Sequence, residues 1–147
     1  MASSGFKVMV AVAGHKVDDE TVRLACRLAR DHQQPRPRLY AVHVIEVNRS
    51  LPLSAPVEHQ VEHAEQVLDS VEHIAGEFNM EVETEMVQAR DTGPALVGEA
   101  EEWGADLIVM GLPYKRRFGE FNLGKAVPYV LKNATCRVIL LREKLTS

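Results

Sequence analysis

Phe6-Lys-Val-Met-Val-Ala-Val-Ala-Gly14 is the stretch on which the fold turns. Lys7 apart, it is apolar throughout and stops at a glycine, as a strand covered on both faces of a parallel sheet does. Behind it, Asp18, Asp19 and Glu20 put negative charge at the start of a segment in which Val22, Ala25, Cys26 and Ala29 share one helical face. The opening therefore reads strand, glycine turn, helix. Pro35-Arg-Pro37 breaks that helix off, and residues 39–47, rich in branched and aromatic side chains, begin a second strand.

The alternation continues to the other end of the chain. Residues 48–56, with two prolines and two serines, form a loop. Val57, Val61, Ala64, Leu68, Val71, Ala75 and Phe78 then recur at steps of four and three, one apolar stripe on a long helix. Met80, Val82, Thr84 and Met86 alternate with Glu81, Glu83 and Glu85, the period of a strand with one face in water, which belongs near a sheet edge. Thr92 is the expected cap of a third helix, with Pro94 in its first turn, Leu96, Ala100 and Trp103 on its inner face and Gly104 as its stop. Residues 105–111 make another buried strand. A polar loop over 112–123, a short helix over about 124–132 containing Pro128, and a last strand over 137–141 complete the order. Five strands alternating with four helices, with no internal repeat and no linker, predict one α/β domain: a doubly wound five-stranded parallel sheet with helices on both faces. Ligands on such sheets bind beyond the carboxyl ends of the strands, at the point where the winding reverses, so the loops after the first and fourth strands hold the site.

Composition narrows the function. A chain of 147 residues, 46% hydrophobic and 26% charged, suits one ordinary domain that needs no metal or disulfide to fold. Seventeen basic against 21 acidic residues leave a net charge of −4, which supplies no footprint for nucleic acid or an anionic membrane. The apolar runs fall far short of the roughly 18 residues a spanning helix needs, and residues 1–5 carry no positive leader region. The expected location is cytoplasmic. Cys26 and Cys136 are too few for a disulfide framework or a zinc site and are read as core thiols.

Three motifs could carry chemistry. Gly119-Glu-Phe-Asn-Leu-Gly124-Lys125-Ala126 misses a phosphate-binding G-x-x-x-x-G-K-[S/T] loop at the hydroxyl residue that would bind magnesium, and it stands too far behind its strand. His59-Gln-Val-Glu62-His63 has the H-x-x-E-H spacing of inverted zinc peptidases. Both imidazoles, however, fall about 200° round the helix from the core stripe, on a solvated face with no third ligand in view. His73 lies on a similar outward side, and His43, in the second strand, is read as a satisfied sheet residue. The third motif is the run Lys115, Arg116, Arg117, between Tyr114 and Phe118. It is either a phosphate-binding loop over the crevice or a solvated basic surface. Phe118 and Phe121 are expected to pin that loop to the domain. No nucleophile with a neighbouring base and no paired carboxylates emerge, so the expectation is binding and not turnover.

Val8 to Gly14, the His43-Val44-Ile45 run, Ala105-Asp-Leu-Ile-Val-Met-Gly111, Gly124-Lys-Ala-Val-Pro-Tyr-Val-Leu-Lys-Asn-Ala134 and Cys136-Arg-Val-Ile-Leu together resemble the universal stress protein family over nearly the whole chain. The resemblance implies a Rossmann-like fold of the adenine nucleotide alpha-hydrolase type. Members that bind ATP carry G-x-x-G, nine residues, then G-[S/T], and here the pattern is half kept. Gly111 and Gly124 match, Tyr114 replaces the second glycine, and Lys125 replaces the hydroxyl residue. At the end of the first strand Ala13, next to Val12, stands where those members have an acid that holds the nucleoside. Losing such a charge-assisted bond costs on the order of 1.5–3 kcal/mol, roughly tenfold to hundredfold in affinity. Val44, Met110 and Gly111, on the adenine side, are retained, and Ala126 follows Lys125 into the last helix. The implied ligand is an adenine nucleotide, ATP or AMP, bound weakly or in an altered way, with magnesium only as its companion. The resemblance also implies a homodimer through residues 137–141, otherwise an exposed apolar edge. The rival expectation is a dimer that binds no nucleotide and works through a protein partner, for example a transporter.

Overall fold

The computed structural model describes residues 5–31, 38–114, 116–117, 120–121 and 123–145. Along the chain lie β1 (Lys7–Ala11), α1 (Asp18–Asp31), β2 (Arg38–Glu46), α2 (Glu58–Glu77), β3 (Glu83–Ala89), α3 (Thr92–Trp103), β4 (Leu107–Leu112), β5 (Arg116–Arg117), β6 (Glu120–Phe121), α4 (Ala126–Asn133) and β7 (Arg137–Arg142). Five strands pair in parallel in the order β3-β2-β1-β4-β7, and the winding reverses between β1 and β4. The glutamate-alternating strand, β3, is an edge, as its pattern predicts.

Side-chain alternation divides the core into two layers. Val8, Val10, Leu107 and Val109 point to the face covered by α1 and α2, where they meet Ala25, Cys26, Leu68 and Val71. Met9, Ile108 and Met110 point to the other face, against Leu96, Ala100, Val127 and Val130 of α3 and α4. Each large side chain so enclosed contributes about 1.5–3 kcal/mol, which is why continuous apolar runs settle as central strands and nowhere else.

Three local expectations shift. β3 starts at Glu83 and not at Met80, because the Met80 N–H closes the end of α2 on the Ala75 carbonyl at 2.9 Å, with Asn79 at φ 55°. Thr92 is the first residue of α3 and does not cap it. Its N–H and hydroxyl both donate to Glu46 Oε2, at 3.0 and 2.7 Å, so the helix is capped from the end of β2. Within the loop after β4, β5 and β6 pair antiparallel, Arg116 opposite Phe121 and Arg117 opposite Glu120.

At the amino ends of the strands the sheet is closed by a polar and aromatic cluster. Trp103 packs on Tyr40 with ring centroids 5.1 Å apart, and the Lys7 ammonium and Arg38 guanidinium lie 5.3 and 5.7 Å from its ring. Its indole N–H donates to Glu83 at 2.9 Å, the Tyr40 hydroxyl donates to Glu99 at 2.7 Å, and the Lys7 ammonium donates to the Trp103 carbonyl at 2.8 Å.

Candidate functional site

At the carboxyl ends the sheet is open. A cleft of about 460 Å³ lies across the ends of β1 and β4, within the range of small-molecule sites. Val42, Val44, Leu96, Met110 and Val127 give it an apolar wall, Ala11, Val12 and Ala13 line it from β1, and Gly111, Leu112 and Pro113 from β4. Gly124, Lys125 and Ala126 close it at the start of α4.

The turn from β1 to α1 is held from several sides. Asp18, 8% exposed, accepts the N–H of Ala13 at 3.1 Å and of Gly14 at 2.7 Å, both on Oδ2. Burial pushes its carboxyl above the ordinary aspartate range, and the backbone N–H bonds from Gly14, Ala13 and His15 pull it back only in part. The His43 Nδ1–H donates to the Val12 carbonyl at 2.9 Å, and since a carbonyl only accepts, this fixes the tautomer. Burial holds the His43 imidazole below its ordinary value, while the bond to Val12 works the other way. The His63 ring meets His43 edge-on with centroids 6.0 Å apart and covers Gly14, whose φ of +89° suits a residue without a Cβ.

Gly111 has a reason of its own to be glycine. A Cβ there would run into Thr21 Oγ1 and sit 2.9 Å from Val17 Cγ1, so the missing side chain is what lets α1 approach β4. Thr21 is fully buried, and its hydroxyl donates to the Val17 carbonyl at 2.8 Å.

Of the sequence-derived candidates, Val12, Ala13, Val44, Met110, Gly111, Gly124, Lys125 and Ala126 all line this one cleft. Gly124 has φ +72°, which starts α4 later than expected, at Ala126. Tyr114 is engaged elsewhere: its N–H donates to Glu143 at 3.1 Å, and the Arg142 guanidinium lies 5.5 Å from its ring. Arg116 and Arg117 are placed by their backbone in β5, and Lys115 and Phe118 lie outside the described residues, as does Gly119 of the phosphate-loop-like motif. The cleft also draws in His15, which the sequence did not single out, and Asp18, His43 and Thr92, which it assigned to a helix start, a sheet and a cap. An acid just past the first glycine turn is the signal that would have found Asp18.

His59 and His63 are exposed, and no group of three His, Cys, Asp or Glu able to hold a metal occurs among the described residues. Cys26 is buried, with its thiol pushed up by burial to about 11, and Cys136 is half-buried. No helix among the described residues is long and apolar enough to cross a membrane.

Comparison with known proteins gives this arrangement a setting. Residues 6–142 match the universal stress protein family. A universal stress protein of Methanocaldococcus jannaschii is 27% identical over 143 residues, which cover 93% of this chain and 82% of that protein. The universal stress protein from Archaeoglobus fulgidus in complex with dAMP superposes with a TM-score of 0.70 at 22% identity, covering 92% of this chain and 96% of that one. A universal stress protein in complex with cAMP superposes with a TM-score of 0.64 at 18% identity, over 96% of this chain and 100% of that one.

Proposed function

The chain belongs to the universal stress protein family, and from that premise we propose that it works by binding an adenine nucleotide in the cleft between β1 and β4, without turning it over. The observation that carries this reading is the lining of the cleft. Val42, Val44, Leu96, Met110 and Val127 form an apolar wall for a purine, while exposed Lys125 stands at the amino end of α4, where an anion is favoured. Relatives of the same fold solved with dAMP and with cAMP support it. Binding without turnover is in keeping with two polar groups of the cleft that are already engaged within the protein: the hydroxyl of Thr92 donates to Glu46, and His43 to the Val12 carbonyl.

The protein acts as a cytoplasmic homodimer in this reading. β7 is a sheet edge whose Val138, Ile139, Leu140 and Leu141 stay partly exposed, the face on which a second copy would lie.

The test is to denature the purified protein and look for released nucleotide by chromatography and mass spectrometry, then to titrate the emptied protein with AMP and with magnesium-ATP. A stoichiometric nucleotide, or a micromolar dissociation constant of about −8 kcal/mol, is the expected result. A cleft that releases nothing and titrates with nothing returns the protein to the rival role, a dimer acting through a protein partner.

A further inference from the structure

We propose that Asp18 is a specificity-determining residue of the cleft, accepting the ribose hydroxyls and so selecting ribonucleotides over their deoxy counterparts. This rests on the adenine-nucleotide reading above.

The cleft has two electrostatically distinct sides. Asp18 reaches it from α1, on one face of the sheet, and Lys125 from the start of α4, on the other. A nucleotide is matched to that polarity in one orientation only. Its anionic group belongs with Lys125, its base with the apolar wall, and its neutral hydrogen-bond donors with the carboxylate. The sugar hydroxyls are the donors that remain once the base has been laid against Val44, Met110 and Leu96.

The chemistry of Asp18 fits that task. A carboxylate has about four acceptor positions; the Ala13 and Gly14 N–H groups both fall on Oδ2, and with the His15 N–H also drawn to the carboxylate, acceptor capacity still remains for a ligand. Holding the turn does not call for a charge, since a serine or asparagine oxygen would accept the same two N–H groups without the cost of burial. The cost is visible. The carboxyl is held above its ordinary range by burial in spite of its backbone bonds, so further donors to it would favour the charged form. Ligand hydroxyls are such donors. Ala13 beside it, exposed and without a polar side chain, offers no competing acceptor.

The experiment is calorimetric titration of the full chain with AMP and with 2′,3′-dideoxy-AMP, in the wild type and in Asp18→Asn. Asparagine keeps an oxygen for the turn and presents an amide donor in place of the second acceptor. The wild type is expected to prefer AMP by roughly tenfold to hundredfold, the usual worth of a bond to a charged group. In the variant the preference falls to within about twofold while dideoxy-AMP binds as before, which also reports an intact cleft. Equal binding of the two nucleotides by the wild type, or an equal loss of both in Asp18→Asn, overturns the assignment and leaves nucleotide binding standing. Absence of binding by AMP and ATP alike overturns the parent reading and this one with it.

Discussion

The two ends of the sheet are built on opposite terms. At the amino ends, Lys7, Arg38, Tyr40, Glu83, Glu99 and Trp103 come from β1, β2, β3 and α3, and their polar groups pair with one another around an indole. At the carboxyl ends, side chains of similar character are spaced round a cleft and answer mainly to backbone, with His43 on the Val12 carbonyl and Asp18 on the Ala13 and Gly14 amides. One end spends its polar groups on itself and closes, while the other fixes its turns and leaves a volume open. With the proposed function, stability and binding fall to different ends of the same five strands.

The largest effect should come from the closed end. Trp103→Ala removes the stack on Tyr40 and two cation contacts, and because Trp103 is only half-buried the expected loss is about 3 kcal/mol, the lower limit for truncating a tryptophan. For a domain of this size that is a fall in melting midpoint of roughly 6–12 °C by scanning calorimetry. Below the transition, nucleotide affinity should stay within about twofold of wild type. An affinity that falls together with stability would break the division between the ends.

Gly111 tests the division from the other side, because it lines the cleft and also lets α1 reach β4. Gly111→Ala forces a Cβ against Thr21 and Val17, and overpacking of that kind costs about 1–3 kcal/mol. Thr21→Ala removes the obstructing oxygen. The double variant should be more stable than the sum of the singles implies, by about 1 kcal/mol in a thermal or denaturant cycle. Strict additivity would mean that this glycine serves the ligand and not the packing, which would return Gly111 wholly to the open end.

Legibility in the sequence followed the same line. The layers of the core could be read because β1 and β4 are apolar without interruption and α2 repeats with its own period, and both signals are local. Part of the cleft was legible through the family resemblance, which named Val12, Val44 and Met110, and the sheet puts them there because they lie at the ends of buried strands, whereas Val42, Leu96 and Val127 were read only as core or not singled out. The contacts that tie the open end together were illegible for the opposite reason. Glu46 caps a helix 46 residues further on, His43 holds Val12 across 31 residues, and Tyr114 is anchored on Glu143 across 29. None of these has a period, and each depends on how two loops meet after the sheet has formed. Asp18 was visible as a helix-starting acid, but its second face, toward the cleft, exists only because α1 begins beside the last residues of β1.

The smallest effect expected is a pH dependence, and it separates the two titratable groups of the open end by sign. His43 has its folded value depressed by burial below the ordinary 6.5. As pH falls below 6.5, the unfolded chain takes up that proton first. The stability contributed by neutral His43 is therefore complete above 6.5 and is lost as pH falls through the depressed value. His63 and Asp18 are the charged neighbours that act on it, the first disfavouring its protonation and the second favouring it. Asp18 runs the other way. Its folded value is raised above 3.8, so its contribution is complete below 3.8 and is lost as pH rises through the raised value. Denaturant midpoints of wild type, His43→Asn and Asp18→Asn, measured from pH 4 to pH 8 (about the span over which these groups titrate), should show the acid-side loss flattened in the first variant and the loss on rising pH flattened in the second. Asparagine at position 43 still carries a donor for the Val12 carbonyl, so the comparison isolates the proton. Nucleotide added in excess should steepen neither slope at His43, whose Nδ1 is already spent on the backbone, but should shrink the Asp18 difference if sugar hydroxyls stabilise the charged carboxylate. A ligand effect that appears at His43 and not at Asp18 would exchange their roles, making the histidine the group that meets the ligand and the carboxylate a fixture of the turn.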